Sequence, residues 1–266
     1  MTLVVGLHCK NSIILGAEQE ENAGLAAKRT ICKLKRYESD NWALGFTGAG
    51  DGAIIDNAER RLAEWLENQE KFTESQLSEA VEDILATVYT KFIDPDPRSE
   101  GISLVIGGSC EDGLFLIQTH KRACQFEDYY ACSGYGSDVA IYLLERLYRE
   151  DDKWIDALKI AAFAIYEVKG SAQYCSGDSD FLVFQLPPNP RWRDLGDEFG
   201  TEIENDVQGL ISGIRSKIFE RRWRPEWVRG YCDQFRTTAY EANFDENPKE
   251  LKKRLAEMKR LDDQDE

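Results

Sequence analysis

The order of apolar segments predicts an α+β protein: a four-layer αββα sandwich, two antiparallel sheets between two helix layers, with a helical C-terminal extension. Three observations carry this expectation. Short apolar runs bounded by turn residues recur in groups, helical stripes come in pairs between the groups, and Pro187-Pro188-Asn189-Pro190 parts the last run from a further helical pattern. Paired helices, in place of one helix between successive strands, exclude a simple doubly wound sheet.

Leu3-Val4-Val5-Gly6-Leu7 and Ser12-Ile13-Ile14-Leu15-Gly16-Ala17 flank Cys9-Lys10-Asn11 and read as two buried strands joined by a hairpin turn. The polar stretch from Glu20 to Thr30 reads as a loop. Ile31-Cys32-Lys33-Leu34 alternates as a strand would, with Ile31 and Lys33 on one face, and Trp42-Ala43-Leu44-Gly45-Phe46 is the next strand. The glycine-rich turn from Thr47 to Gly52 lacks the spacing of either common phosphate-binding loop, which argues against a nucleotide site.

Ile54 to Glu70 places Ala58, Leu62, Trp65 and Leu66 at helical spacing. Thr73-Glu74-Ser75-Gln76 is a capping box for a second helix, whose stripe Leu77, Val81, Ile84, Leu85, Val88 and Phe92 runs to a break at Asp94-Pro95-Asp96-Pro97. Strands follow over Ile102 to Gly108, Gly113 to Gln118 and near Tyr129 to Cys132. Asp138 to Glu150 and Lys153 to Val168 form the second helix pair, with Val139, Tyr142, Leu143 and Leu147 as the apolar stripe of the first. Phe181 to Leu186 is the closing strand. The expected domain is therefore 1–187, and 188–266 is an appendage: a helix striped by Ile203, Val207, Leu210, Ile211, Ile214, Ile218 and Phe219, an aromatic-bearing segment from Trp223 to Phe235, and a charged tail.

Composition narrows the function. A formal net charge of −16 disfavours nucleic acid as a partner, because phosphates need Lys and Arg. Seven cysteines without CxxC spacing, and only His8 and His120 as histidines, give little material for a metal site, so neither metal nor cofactor is expected. No apolar run approaches a membrane span, and a secretory signal is absent from the N-terminal residues, so a cytoplasmic protein with reduced thiols is expected.

The chemistry concentrates in the first fifty residues. Removal of Met1 would give Thr2 both a hydroxyl and a free α-amine, nucleophile and base in one residue. The amine, with a reference pKa of roughly 7.7–8.0, is poised to take the hydroxyl proton. A lysine ammonium nearby would favour alkoxide character on the oxygen, and Lys33 is the candidate. Glu18 closes the second strand, where a buried acid needs a cationic partner, and Lys33 is the nearest in sequence.

In order and spacing, Thr2, Val5-Gly6, Lys10-Asn11, Gly16-Ala17-Glu18, Lys33-Leu34, Leu44-Gly45-Phe46-Thr47-Gly48, Cys132-Ser133-Gly134-Tyr135-Gly136 and Ser176-Gly177-Asp178 make a set. Through it, residues 2–187 resemble the β-type subunits of the 20S proteasome and their bacterial relatives, including the peptidase HslV. The resemblance implies the N-terminal nucleophile hydrolase fold and a threonine endopeptidase. Thr2 would be the nucleophile, with Lys33 and Glu18 as the charges beside it and the Gly48 N–H as oxyanion donor. It implies also that Ser133 and Ser176 hold the amine and a water. The substrate would be unfolded polypeptide, the setting a homo-oligomer or proteasome-like ring, and an ATP-driven unfoldase a further partner.

The chain departs from the family pattern in three respects. Gln19-Glu20-Glu21-Asn22 stands where an arginine and then a threonine are usual. Gln173, three residues before Ser176, replaces an aspartate, and its neutral amide can accept a hydrogen bond but supplies no charge. With no propeptide, excision of Met1 alone would expose Thr2. These departures keep two alternatives open: an inactive structural subunit of a ring, and an N-terminal nucleophile amidohydrolase of small amides.

Overall fold

In the computed structural model the described residues are 2–22, 28–96, 98, 99, 101–171, 175–186, 191–194, 205, 206, 208 and 209. Strands β1 (Leu3–Cys9) and β2 (Ser12–Glu18) pair antiparallel about Lys10-Asn11, with Cys9 opposite Ser12. Every residue of β2, and every residue of β1 except His8, is buried. Burial on both faces is why these strands read as unbroken apolar runs and not as alternation.

The described residues form two five-stranded antiparallel sheets. The first holds β1 and β2 at its centre. Before the second begins, β3 (Glu20–Asn22) and β4 (Lys28–Thr30) make a small separate ribbon. The second sheet runs in sequence order through β5 (Lys35–Glu38), β6 (Ala43–Gly50), β7 (Ile102–Cys110), β8 (Gly113–His120) and β9 (Ala123–Phe126). Strand β10 (Tyr130–Gly134) returns to pair with β1, and β11 (Ser179–Gln185) pairs with β2. Strand β12 (Arg191–Asp194) pairs with β11, so the first sheet continues beyond the proline cluster.

Helices α1 (Gly52–Leu66) and α2 (Glu74–Val88) cover the second sheet, burying Ala58, Leu62, Leu77, Val81 and Leu85 against Leu44, Phe46, Leu104 and Phe115. Helices α3 (Ser137–Leu147) and α4 (Trp154–Ser171) cover the first, with α4 lying on β1 and β2. Between the sheets Val4, Leu15, Ala17, Ala49, Val105, Leu116, Leu182 and Phe184 form a separate core. The sheets meet closely there. A Cβ on Gly107 would stand 2.6 Å from Ile13 Cγ2, and one on Gly6 2.7 Å from Leu116 Cδ1, so glycine at both positions lets the layers touch. This is the αββα sandwich that the segment order predicts.

Both caps are local. The Asp51 carboxylate accepts from the N–H groups of Ala53 and Ile54 at 2.9 and 3.2 Å, and Thr73 and Gln76 close the expected capping box.

Several elements differ from expectation. Helix α1 stops at Leu66 and not at Glu70. Helix α2 passes at Val88 into a π-helical turn, Tyr89–Ile93, pinned by the Tyr89 hydroxyl donating to the Ile102 carbonyl at 2.9 Å. Residues 31–34 are not a strand, because Lys33 is drawn across the end of β2 and away from a ladder. Strand β9 was not expected: it is a largely exposed edge with no apolar run to signal it. On α3 the inward side chains are Ala140 and Leu144, while Val139 and Tyr142 of the expected stripe face solvent; small Ala140 lets the helix close on the sheet, and the Arg146 guanidinium lies 4.4 Å over the Tyr142 ring. Of the helix expected over 203–219, positions 205, 206, 208 and 209 are described and are helical; the rest of 195–266 lies outside the described residues.

Candidate active site

Thr2 immediately precedes β1, 8% exposed. Its carbonyl accepts the Tyr135 N–H at 3.0 Å. Strand β10 ends beside it at Gly134, whose φ is +100° and whose Cβ, if it had one, would stand 1.7 Å from the Thr2 carbonyl oxygen. Only glycine permits that approach.

Two clefts meet at Thr2. One, of about 290 Å³, is bordered by Thr2, Lys33, Gly48, Ile31, Phe46 and Glu59. The other, of about 600 Å³, is bordered by Thr2, Ser133, Gly134, Tyr135, Gln118 and His120. Gly48 comes from β6, opposite Leu104 of β7, and Ser133 from β10, opposite Val4 of β1. Lys33 and Gly48 thus lie on one side of Thr2 and Ser133 on the other.

Glu18, the last residue of β2, is wholly buried. The Lys33 ammonium donates to one of its carboxylate oxygens at 2.6 Å, and the Glu20 N–H donates to the other at 2.7 Å. Lys33 also donates to the Glu20 carbonyl, and its side chain is only 8% exposed. Burial pushes the Glu18 carboxyl above its usual range, and Lys33 opposes that rise. A buried acid at the end of a strand with a cation drawn across to it is the arrangement expected from sequence, reached without a strand at 31–34.

Ser176 is tied to Glu18 and Lys33 through Glu20. Its hydroxyl donates to the carboxylate of Glu20. Gln173 lies outside the described residues. Beside Ser176, the Cys175 thiol donates to the Tyr135 carbonyl at 3.4 Å and is pushed up to about 11, chiefly by burial. Cys132, beside Ser133, is pushed by burial up to about 12. Neither thiol is an activated nucleophile.

Sequence reasoning missed Glu20, Gln19 and Asp180. Gln19 Nε2 donates to Asp180 Oδ1 at 2.5 Å and the Gln19 N–H donates to the Asp178 carbonyl at 2.8 Å, which fastens the end of β2 to the lead into β11. One signal was present. Glu18 and Glu20 are two residues apart, and in extended chain that spacing puts side chains on one face. Among the described residues no group of three His, Cys, Asp or Glu side chains could hold a metal ion.

The arrangement places a threonine, a buried ammonium, and the backbone of a glycine strand around one cleft. Comparison with known proteins gives the lineage. The family model "Proteasome subunit" matches residues 2–182. Proteasome subunit beta 2 of Pyrococcus furiosus is 25% identical over 165 residues, covering 62% of this chain and 77% of that protein. Among solved structures, Anbu (ancestral beta-subunit) from Yersinia bercovieri superposes with a TM-score of 0.67 at 14% identity, covering 81% of this chain and 97% of Anbu. The helical assembly of the Anbu complex from Pseudomonas aeruginosa gives 0.65 at 16% identity, covering 84% and 98%. The structural likenesses speak for the fold, and the family match spans most of the chain; the protein belongs to the proteasome subunit family.

Proposed function

We propose that this chain is a threonine-type peptidase that acts, after removal of Met1, through Thr2 on unfolded polypeptide. The observation that carries the reading is that Thr2, the buried Lys33 ammonium and Gly48 border a single cleft. The Thr2 hydroxyl would attack the scissile carbonyl while its own α-amine takes the proton. The Gly48 N–H would stabilise the oxyanion, the amine would return its proton to the leaving nitrogen, and water would then hydrolyse the ester on Thr2. Lys33, held by its bond to Glu18, would keep a positive charge beside the reacting oxygen. Ser133, in the second cleft, and Ser176 would hold the amine and the water.

Enclosure in an oligomer of proteasome type would confine such an unspecific site, and the helical assembly of the Pseudomonas aeruginosa Anbu complex is a precedent in the same fold. A cytoplasmic setting and an ATP-driven unfoldase partner complete the reading. Among the described residues no helix is long and apolar enough to cross a membrane.

The test is mass spectrometry of the purified chain after exposure to a peptide epoxyketone, which needs both hydroxyl and amine of an N-terminal threonine. Adduct on Thr2 with Met1 absent is the expected result, and Thr2→Ala should abolish adduct and turnover while the fold stays intact. The neutral Gln173 favours one other reading, a structural subunit without activity. An unmodified chain in which Thr2 is already exposed would select it.

A further inference from the structure

Glu20 begins β3 two residues past Glu18 and is 7% exposed. Its N–H donates to Glu18, its carbonyl accepts from Lys33 and its carboxylate accepts from the Ser176 hydroxyl. Strand register puts it there. Ser179 of β11 stands opposite Glu18, and extending that antiparallel register two residues sets Gly177 opposite Glu20, where a Cβ on Gly177 would lie 3.4 Å from the Glu20 nitrogen. Ser176 is the next residue. The Cys175 thiol beside it donates to the Tyr135 carbonyl at 3.4 Å, and the Tyr135 N–H donates to the Thr2 carbonyl at 3.0 Å, so the segment carrying Ser176 is tied to Thr2 through one residue.

A hydroxyl that gives its proton to a carboxylate presents its oxygen as an acceptor. An N-terminal amine is a donor to such an oxygen. We propose that Glu20 is a positioning residue of the site, whose carboxylate turns the Ser176 oxygen toward the Thr2 amine and sets a negative charge behind it. This rests on the peptidase reading given above. It answers a gap in the sequence, since the acid usual three residues before Ser176 is the neutral Gln173 here. Glu20 exchanges no proton in the reaction: the proton passes from the Thr2 hydroxyl to the amine and on to the leaving nitrogen. The charged and titratable groups that meet Glu20 are Glu18 of β2, Lys33 and Cys175, while Lys169 of α4 acts on Glu18 and Asp180 of β11 on Gln19.

The experiment uses the full chain with Met1 removed and compares wild type with Glu20→Gln, Glu20→Asp and Ser176→Ala. Glu20→Gln keeps an oxygen that can accept from Ser176 and removes the charge. Two quantities are read: kcat and KM for a fluorogenic peptide across pH, and the titration of the Thr2 amine by NMR of ¹⁵N-threonine-labelled protein. Glu20→Gln should lower kcat about tenfold with KM little changed, the size expected when a hydrogen bond to a charged group becomes one to a neutral amide. It should also move the acid limb and the amine titration down by about half a pH unit, because loss of a nearby negative charge favours the neutral amine. Glu20→Asp should retain the limb, and the costs of Glu20→Gln and Ser176→Ala should overlap when combined.

A folded Glu20→Gln protein with unchanged limb and amine titration overturns the proposal. If Glu20→Gln fails to fold, Ser176→Ala decides: its amine titration must move, and an unmoved one overturns the link. Absence of turnover and of epoxyketone adduct in the wild type would sink the peptidase reading instead, and the amine titration would still judge Glu20 by itself.

Discussion

Replacing Lys33 by methionine tests the electrostatic centre of the site through folding alone. Glu18 is wholly buried, and Lys33 is the cation that bonds it at 2.6 Å. Methionine keeps the unbranched stem as far as Cε and deletes the ammonium, leaving a buried carboxylate without its counter-charge. Breaking a buried pair by removing one partner costs about 3–5 kcal/mol. At ~2–4 °C per kcal/mol for a chain of this size, the variant should melt roughly 6–20 °C below wild type near pH 7.5.

The pH dependence identifies the cause. Burial already raises Glu18 above its ordinary value of 4.5, and losing Lys33 raises it further. A group whose folded pKa lies above its unfolded value gives its stability fully below the unfolded pKa and loses it as pH rises through the folded one. The deficit of Lys33→Met against wild type should therefore be small until the pH passes the raised folded-state pKa of Glu18 in wild type, grow by roughly 1.4 kcal/mol per pH unit above it, and level off once Glu18 ionises in the folded variant as well. A pH-independent remainder of about 1 kcal/mol belongs to the lost bond from Lys33 to the Glu20 carbonyl. Urea unfolding at pH 5, 6, 7 and 8 measures this. Lys33→Met/Glu18→Gln should recover most of the neutral-pH loss. A deficit that is flat with pH, joined to a double variant no better than the single, would refute a buried charge at Glu18.

Two further outcomes follow from local geometry. Gly134→Ala combines a φ of +100° with a Cβ 1.7 Å from the Thr2 carbonyl oxygen, so it should cost more than about 3 kcal/mol and abolish epoxyketone labelling of Thr2; an unfolding midpoint near wild type would show that the Thr2 carbonyl can move aside. Cysteine alkylation followed by peptide mapping should, among the cysteines of the described residues, label exposed Cys32 first at pH 8. Cys9 and Cys132, pushed up to about 12, and Cys175, up to about 11, should each hold less than about one thiolate in a hundred and react far more slowly; rapid labelling of Cys175 would place it in an electropositive environment contrary to its burial.

The layers of the fold were legible because each is written in a local code. The capping box at Thr73 and the apolar runs of β1, β2, β7 and β11 need no knowledge of distant residues. What escaped depends on partners far away in sequence. Edge strand β9 has little buried surface to leave a pattern, and α3 turns Val139 and Tyr142 outward because Ala140, not a larger residue, fits against its sheet. Residues 31–34 alternate as a strand does, yet the bonds from Lys33 to Glu18 and to the Glu20 carbonyl, together with the Ile31 N–H donating to the Gln19 carbonyl at 3.0 Å, hold them outside the ladder.

The same distinction runs through the site. Thr2 and Glu18 can be placed together because β1 and β2 form a two-residue hairpin that fixes both strand ends at once, and Lys33 is the nearest cation in sequence for an acid buried there. Glu20 is marked only by its two-residue spacing from Glu18, since an acid opening a polar stretch looks solvated until β11 is laid antiparallel beside β2. Once Ser179 stands opposite Glu18, the chain before β11 must pass Glu20, and the Ser176 hydroxyl meets its carboxylate. An acid missing from one side of a serine in sequence can thus be supplied from the neighbouring strand. A carboxylate acts on a hydroxyl and an amine through distance and direction, and those are fixed by register, not by how many residues separate the partners along the chain.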